Sequence, residues 1–195
     1  MDEGADRTRR PGGHVRVYTR AGDDGSTGMF LGGRVSKADA LMEACGDIDE
    51  AVSVLGVARA SCHDAALASE ILERQRELFV VAADLATNPR HRDRLEAGIS
   101  LVTKEMVDAI ERAIDGRLAA RPLRPVFVVP GTGGTSAALD NARTVVRRAE
   151  RRVVAMQDAG QGVSPELLRY LNRLSDLVFV LARHAADDDE PPSHD

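Results

Sequence analysis

Tryptophan is absent from this chain, and among its 195 residues tyrosine occurs twice and phenylalanine four times. With so few rings the core must be built from Leu, Val, Ile and Ala, which suits packed helices. Cysteine is nearly absent too. Cys45 and Cys62 are too few and too far apart for a disulfide framework or a zinc site, so a reducing compartment is expected. No uninterrupted apolar run is long enough to span a membrane, and MDEGADRTRRPGGH has no signal-peptide core. The expectation is a cytoplasmic protein. Positive charge is in deficit, 26 Lys and Arg against 31 Asp and Glu, so no general basic field for nucleic acid exists and cations can act only as local patches.

Catalytic motifs of several common kinds are missing as well. The histidines at 14, 63, 91, 184 and 194 have no ligand spacing, and no Glu-x-x-His pair is present for a di-iron bundle. A metal held by the protein itself is therefore not expected. No nucleophile elbow is present, and PGTGGTSA, residues 130–137, lacks the lysine of a Walker loop.

What the chain does have is helical periodicity. Leu41, Cys45, Ile48, Val52 and Leu55 follow alternating steps of four and three, which predicts a helix over residues 37–60. Ile71, Leu78, Ala82 and Leu85 predict a second over 64–87, stopped by Asn88-Pro89. Val102, Met106, Ile110 and Ala113 predict a third over 98–120. Leu139, Ala142, Val146, Ala149, Val153 and Met156 mark a fourth. Leu167, Leu171, Leu174, Val178 and Leu181 mark a fifth, opened by Ser164 as a side-chain cap and by Pro165. VFVVPG, residues 126–131, reads as an extended connector. The fold class is all-α, a five-helix up-and-down bundle. One domain is expected over residues 14–185. Residues 1–13 should be disordered, and 186–195 should form an acidic flexible tail.

Three polar features interrupt the apolar pattern. TRAGDDGSTG, residues 19–28, is either a solvated turn or a loop whose glycines and hydroxyls cradle phosphate. Arg143, Arg147 and Arg151 recur at i+4 beside the apolar stripe of the fourth helix, with Glu150 among them. They form a solvated outer face or a border that needs a carboxylate or phosphate partner. On the fifth helix Asn172 and Asp176 share a face, either as an ordinary polar pair or as part of a site. In the first, Asp47, Asp49 and Glu50 break the apolar run. Glycine-rich loop, lysine, arginine stripe and amide together fit a nucleoside triphosphate.

Three segments in order, YTRAGDDGSTG with Lys37 downstream, FVVPGTGGTSAALDNARTVVRRAERRVV and YLNRLSDLVFVLAR, resemble the PduO-type corrinoid adenosyltransferases over residues 16–184. The resemblance implies a ferritin-like homotrimer with active sites between subunits. It also implies transfer of the adenosyl group of ATP to cob(I)alamin, with Mg²⁺ and release of triphosphate. It implies that the loop 18–37 orders over ATP, through Thr19, Arg20, Ala21, Gly22, Thr27, Gly28 and Lys37. Arg147, Arg148, Glu150, Arg151 and Asn172 complete that site, Arg147 acting on the leaving group. Phe127 is implied to press on the corrinoid from below and exclude its lower axial ligand; a plug in the core is the other reading of this residue. Asp49 and Arg143 are implied to pair across the subunit interface. A reductase and an adenosylcobalamin-dependent mutase are the implied partners. The chain departs from the family at Asp24, where relatives carry lysine, and in PGTGGT. An alternative is a non-catalytic carrier that binds ATP and corrinoid for delivery to a mutase.

Overall fold

The computed structural model describes residues 18–186 and 190–194, so the segment expected to be disordered, 1–13, lies outside the described residues. Five helices carry the fold: α1 (Ala40–Ala60), α2 (Ala65–Leu85), α3 (Lys104–Ala120), α4 (Gly134–Asp158) and α5 (Pro165–Ala185). Helix α1 packs on α2 and α4, and α5 packs on α4, α3 and α2. Contacts along the helices fix their directions. Thr135 of α4 meets Ser61 at the end of α1, while Arg152, near the other end of α4, meets Glu43. Ser164, at the start of α5, meets Asp84 near the end of α2, and His184, near the end of α5, meets Arg121 just past the end of α3. So α1, α3 and α5 run one way and α2 and α4 the other.

The apolar stripes explain this packing. Every stripe residue expected for the fourth and fifth helices is buried, from Leu139 to Met156 and from Leu167 to Leu181. On α1 the expected stripe is offset. Cys45 and Val52 are half-buried, and Ala44, Ala51 and Ala58 are the fully buried positions beside Ile48 and Leu55. Alanines at i+7 spacing let α4, with Ala142 and Ala149, approach closely. Cys45 lies against this core, and burial pushes its thiol up to about 11. At pH 8 it should therefore resist alkylation in the folded protein and label fully in denaturant, which mass spectrometry of the Cys45 peptide would read.

The helix starts are chemically specified. Asp39 Oδ1 accepts from Leu41 N at 2.9 Å, Asp64 Oδ1 from Ala66 N and Leu67 N, and Thr103 Oγ1 from Met106 N. Ser164 corrects the expectation of a side-chain cap. Pro165 does open α5, but the Ser164 hydroxyl instead donates to Asp84 Oδ2 at 3.0 Å. Asp84, fully buried, also accepts from Val102 N at 3.0 Å and from Arg92. One carboxylate thus ties the end of α2 to the approach to α3 and the start of α5. The third helix starts later than its periodicity suggested, because residues 98–103 form a turn closed by Gly98 N to Leu101 O.

Two elements had no periodic signal. A 3-10 turn spans Pro89–Arg94, and a hairpin pairs β1 (Ser26–Gly28) with β2 (Arg34–Ser36), antiparallel, Thr27 opposite Val35. Residues 126–131 form no helix or named strand, as expected of a connector, although Val128 bridges Pro192. In the stretch expected to be a flexible tail, Glu190 is 6% exposed, and residues 190–193 lie along the connector. Among the described residues no helix is long and apolar enough to cross a membrane.

Candidate functional site

The glycine-rich loop is a built structure. Its hairpin stands at the end of the bundle where α1 begins and α2 ends, held by Phe30 N to Ala86 O at 2.9 Å and Asn88 N to Phe30 O at 3.0 Å. Gly33 has φ +89, and a Cβ there would come within 2.7 Å of Met29 Cε and 2.9 Å of Asn88 Nδ2. Only glycine lets the hairpin turn this tightly against α2. Lys37 folds back to donate to Gly22 O at 2.8 Å. A Cβ on Gly22 would meet Lys37 Nζ at 3.1 Å.

The hollow inside this loop is lined by Thr19, Ala21, Gly22, Ser26, Thr27, Gly28, Arg34 and Lys37. Of the seven loop residues anticipated from the sequence, six line it. The seventh, Arg20, is exposed, with φ +62, a left-handed conformation uncommon outside glycine. Its guanidinium lies over the Tyr18 ring at 5.9 Å.

Arg34 and Ser26 are the residues the sequence reading missed. Arg34 donates to Ala21 O and Ser26 Oγ, placing a second cation beside Lys37. The available clue was that Arg20, Arg34 and Lys37 are the only cations between residues 18 and 37. Asp24, the residue at which the loop departs from the family pattern, serves the loop itself. Its Oδ1 accepts from Ser26 N at 2.9 Å and Ser26 Oγ at 2.8 Å, and these bonds, more than nearby Arg34, hold its carboxyl below the usual carboxylate range.

The second set of residues lies on α4 and α5. Arg147 and Arg151 are exposed, and Arg151 reaches back to Arg147 O at 3.0 Å. Neither guanidinium meets a carboxylate among the described residues. Beside them Asn172 Nδ2 donates to Glu150 Oε1 at 3.0 Å, and Asn172 Oδ1 accepts from Arg173 at 2.7 Å. Asn172 thus joins α4 to α5, while Asp176 stays exposed. Arg148 stands differently from its neighbours. It turns toward α1, pairing with Asp47 Oδ1 at 3.0 Å and with Glu50, and the bond from Asp47 is the main influence holding its proton more tightly than usual. Within the single chain Arg148 thus serves the packing of α4 on α1.

Arg143 and Asp49 make no bond to each other within the chain. Asp49 is exposed, and Arg143 is half-buried, 5.9 Å from the Phe179 ring, with Nε buried and unpaired. Phe127 is 87% exposed, which excludes the core-plug reading. It sits at the far end of the bundle from the loop. The 21 residues of α1 separate those ends by about 30 Å, and the α4 arginines lie between them.

Comparison with known proteins agrees with this geometry. A model of the cobalamin adenosyltransferase family matches residues 17–185. A corrinoid adenosyltransferase of Citrobacter freundii is 42% identical over 170 residues, covering 86% of this chain and 93% of that protein. One from Mycobacterium bovis is 42% identical over 180 residues, covering 89% and 90%. Among solved structures, a phenylalanine-to-alanine variant of a PduO-type ATP:corrinoid adenosyltransferase from Lactobacillus reuteri, complexed with cobalamin and ATP, superposes with a TM-score of 0.82. It is 28% identical, over 92% of this chain and all of that one. An arginine-to-lysine variant of the same enzyme, complexed with ATP, matches at 0.76, with 32% identity over 87% and 93%. Five antiparallel helices, a glycine-rich loop around a hollow and an open arginine face thus occur together in a chain that belongs to the cobalamin adenosyltransferase family.

Proposed function

We infer that this chain is an ATP:corrinoid adenosyltransferase. The observation that carries this reading is the pair of exposed guanidiniums, Arg147 and Arg151, which meet no carboxylate among the described residues while Arg148 and Arg152 of the same helix do, and which are flanked by the Glu150–Asn172 bond. Cations left open on a rigid helix are placed for a polyanion. The cobalt(I) electron pair attacks the 5′ carbon of ATP, the carbon–oxygen bond breaks with its electrons on oxygen, and triphosphate departs. No side-chain nucleophile is needed. What the protein supplies is neutralisation of the leaving charge, a role proposed for Arg147 because its guanidinium is exposed and meets no carboxylate among the described residues.

The loop cradles the nucleotide through Thr19, Ala21, Gly22, Thr27, Gly28 and Lys37, with Arg34 added, and Arg20 at its rim. Among the described residues no group of His, Cys, Asp and Glu could cage a metal. Mg²⁺ would therefore be held mainly by the triphosphate oxygens, as is usual for this hard cation.

No α4 or α5 residue lines the loop hollow. The two halves are proposed to meet across neighbouring copies in a homotrimer. The buried, unpaired Arg143 Nε and the exposed Asp49 support this, as an Asp49–Arg143 pair between copies would satisfy both. Unpaired thiols and an ATP co-substrate suit the cytoplasm. A one-electron reductase must supply the cobalt(I), and an adenosylcobalamin-dependent mutase would take the product.

The test is an anaerobic optical assay with cobalamin and Mg-ATP, comparing wild type with Phe127→Ala. Because the ring is solvent-exposed, the variant should melt with wild type. It should lose about tenfold or more in rate when the reaction starts from cob(II)alamin, and less when it starts from chemically reduced cob(I)alamin. A wild type that binds both substrates and forms no adenosylcobalamin would overturn the reading.

A further inference from the structure

The connector carrying Phe127 should be loose by its own chemistry. Between the end of α3 and the start of α4 it has prolines at 122, 125 and 130, and Val126 and Val129 are about half exposed. Yet it is held, and by the other end of the chain. Val129 N donates to Pro191 O at 2.8 Å, Ser193 N donates to Phe127 O at 2.8 Å, and Val128 stands opposite Pro192 in an antiparallel bridge. The two prolines suit this place. Proline lacks a backbone donor, so it survives at a strand edge only where none is required, and its fixed φ reduces the entropy lost on docking.

The base of this segment is anchored by charge. Glu190 is 6% exposed and faces Arg183 Nη2 at 3.0 Å; Arg183, itself buried, also pairs with Asp140 of α4. Arg124, in the connector, donates to Glu190 O at 3.1 Å. Arg183 lies over the Phe179 ring at 5.3 Å. A carboxylate is costly to bury, and is retained where a partner specifies its position. Glu190 therefore marks a defined docking point for residues 190–193. The segment binds the backbone of Phe127 and leaves its ring free.

We propose that residues 190–193 form a strap that holds the Phe127 connector in the geometry that meets the corrinoid, making the C-terminal segment a positioning element for that substrate and not for ATP. The proposal rests on the adenosyltransferase reading of Phe127. The strap stands at the end of the bundle opposite the nucleotide loop, so its effect should fall on one substrate alone.

Two variants test it in the otherwise intact protein: Ser193→Pro, which deletes the amide that bonds Phe127 O, and a chain ending at Ala186. Hydrogen exchange of the peptide containing Val129 reads the strap directly. It should accelerate about tenfold or more in both variants. The KM for cobalamin should rise about tenfold with the KM for ATP unchanged. The spectral change of cob(II)alamin on losing its lower ligand should weaken in proportion. Unchanged exchange would overturn the strap. Faster exchange with unchanged cobalamin KM and spectrum would overturn its positioning role. Failure of the adenosyltransferase reading looks different: wild type itself would transfer nothing and leave the cobalamin spectrum unaltered, removing the positioning role with it, while exchange alone would still judge the strap.

Discussion

Replacing Arg147 by alanine is expected to cut adenosyl transfer about 10²- to 10³-fold, the scale on which loss of one donor to a developing oxyanion is felt. The melting temperature should not move, because Arg147 is exposed and only its backbone carbonyl is engaged, by Arg151. Arg148→Ala is the informative comparison. Its guanidinium holds Asp47, a carboxylate only 7% exposed, so its loss should lower stability and leave Asp47 to Arg152 alone. Two adjacent arginines then separate cleanly, one costing rate and the other stability. Arg147→Lys keeps the charge without the planar fork and should fall between wild type and alanine. Rates come from the anaerobic optical assay, stability from thermal unfolding of the same preparations. Equal rates for wild type and Arg147→Ala would remove this residue from the leaving-group site.

That separation was not readable from sequence, and the reason is geometric. Arg143, Arg147 and Arg151 stand at i+4 and were rightly placed beside the buried stripe. One position on, Arg148 points about 100° further around the helix, toward α1. Which acids await it there depends on how α1 and α4 are registered. Asp47 and Glu50 come opposite only once the antiparallel pairing is set. The helices themselves were legible because each stripe repeats over several turns, and Pro89, Pro122 and Pro165 bound them. The hairpin was not, since three residues on each strand are too few to show alternation, and its hold on Ala86 and Asn88 is long-range. The tail shows the same limit. DDDEPPSHD has the charge and proline of a solvated end, and the position of Glu190 beside Arg183 depends on long-range packing that composition does not carry.

The largest loss of stability is expected from Asp84→Ala. Asp84 is fully buried, and its carboxylate accepts from Arg92, from Val102 N and from Ser164 Oγ, drawing three separate chain segments onto the end of α2. Removing it leaves a buried amide and a hydroxyl without their acceptor, and a half-buried guanidinium with only the Asp84 carbonyl. Breaking a buried charged pair from one side costs about 3–5 kcal/mol, which for a chain of this length lowers the melting temperature by roughly 6–20 °C. Asp84→Asn keeps one acceptor oxygen and the volume, so it should lose less. Function should follow position as well as stability. Phe30 of the loop hangs on Ala86 and Asn88, only two and four residues beyond Asp84. Loosening this corner should raise the KM for ATP well below the melting temperature. The Phe127 end, about 30 Å away along the helices, should keep its KM for cobalamin. A variant that weakens both substrates equally would mean that Asp84 holds the bundle as a whole and not the corner that carries the nucleotide loop.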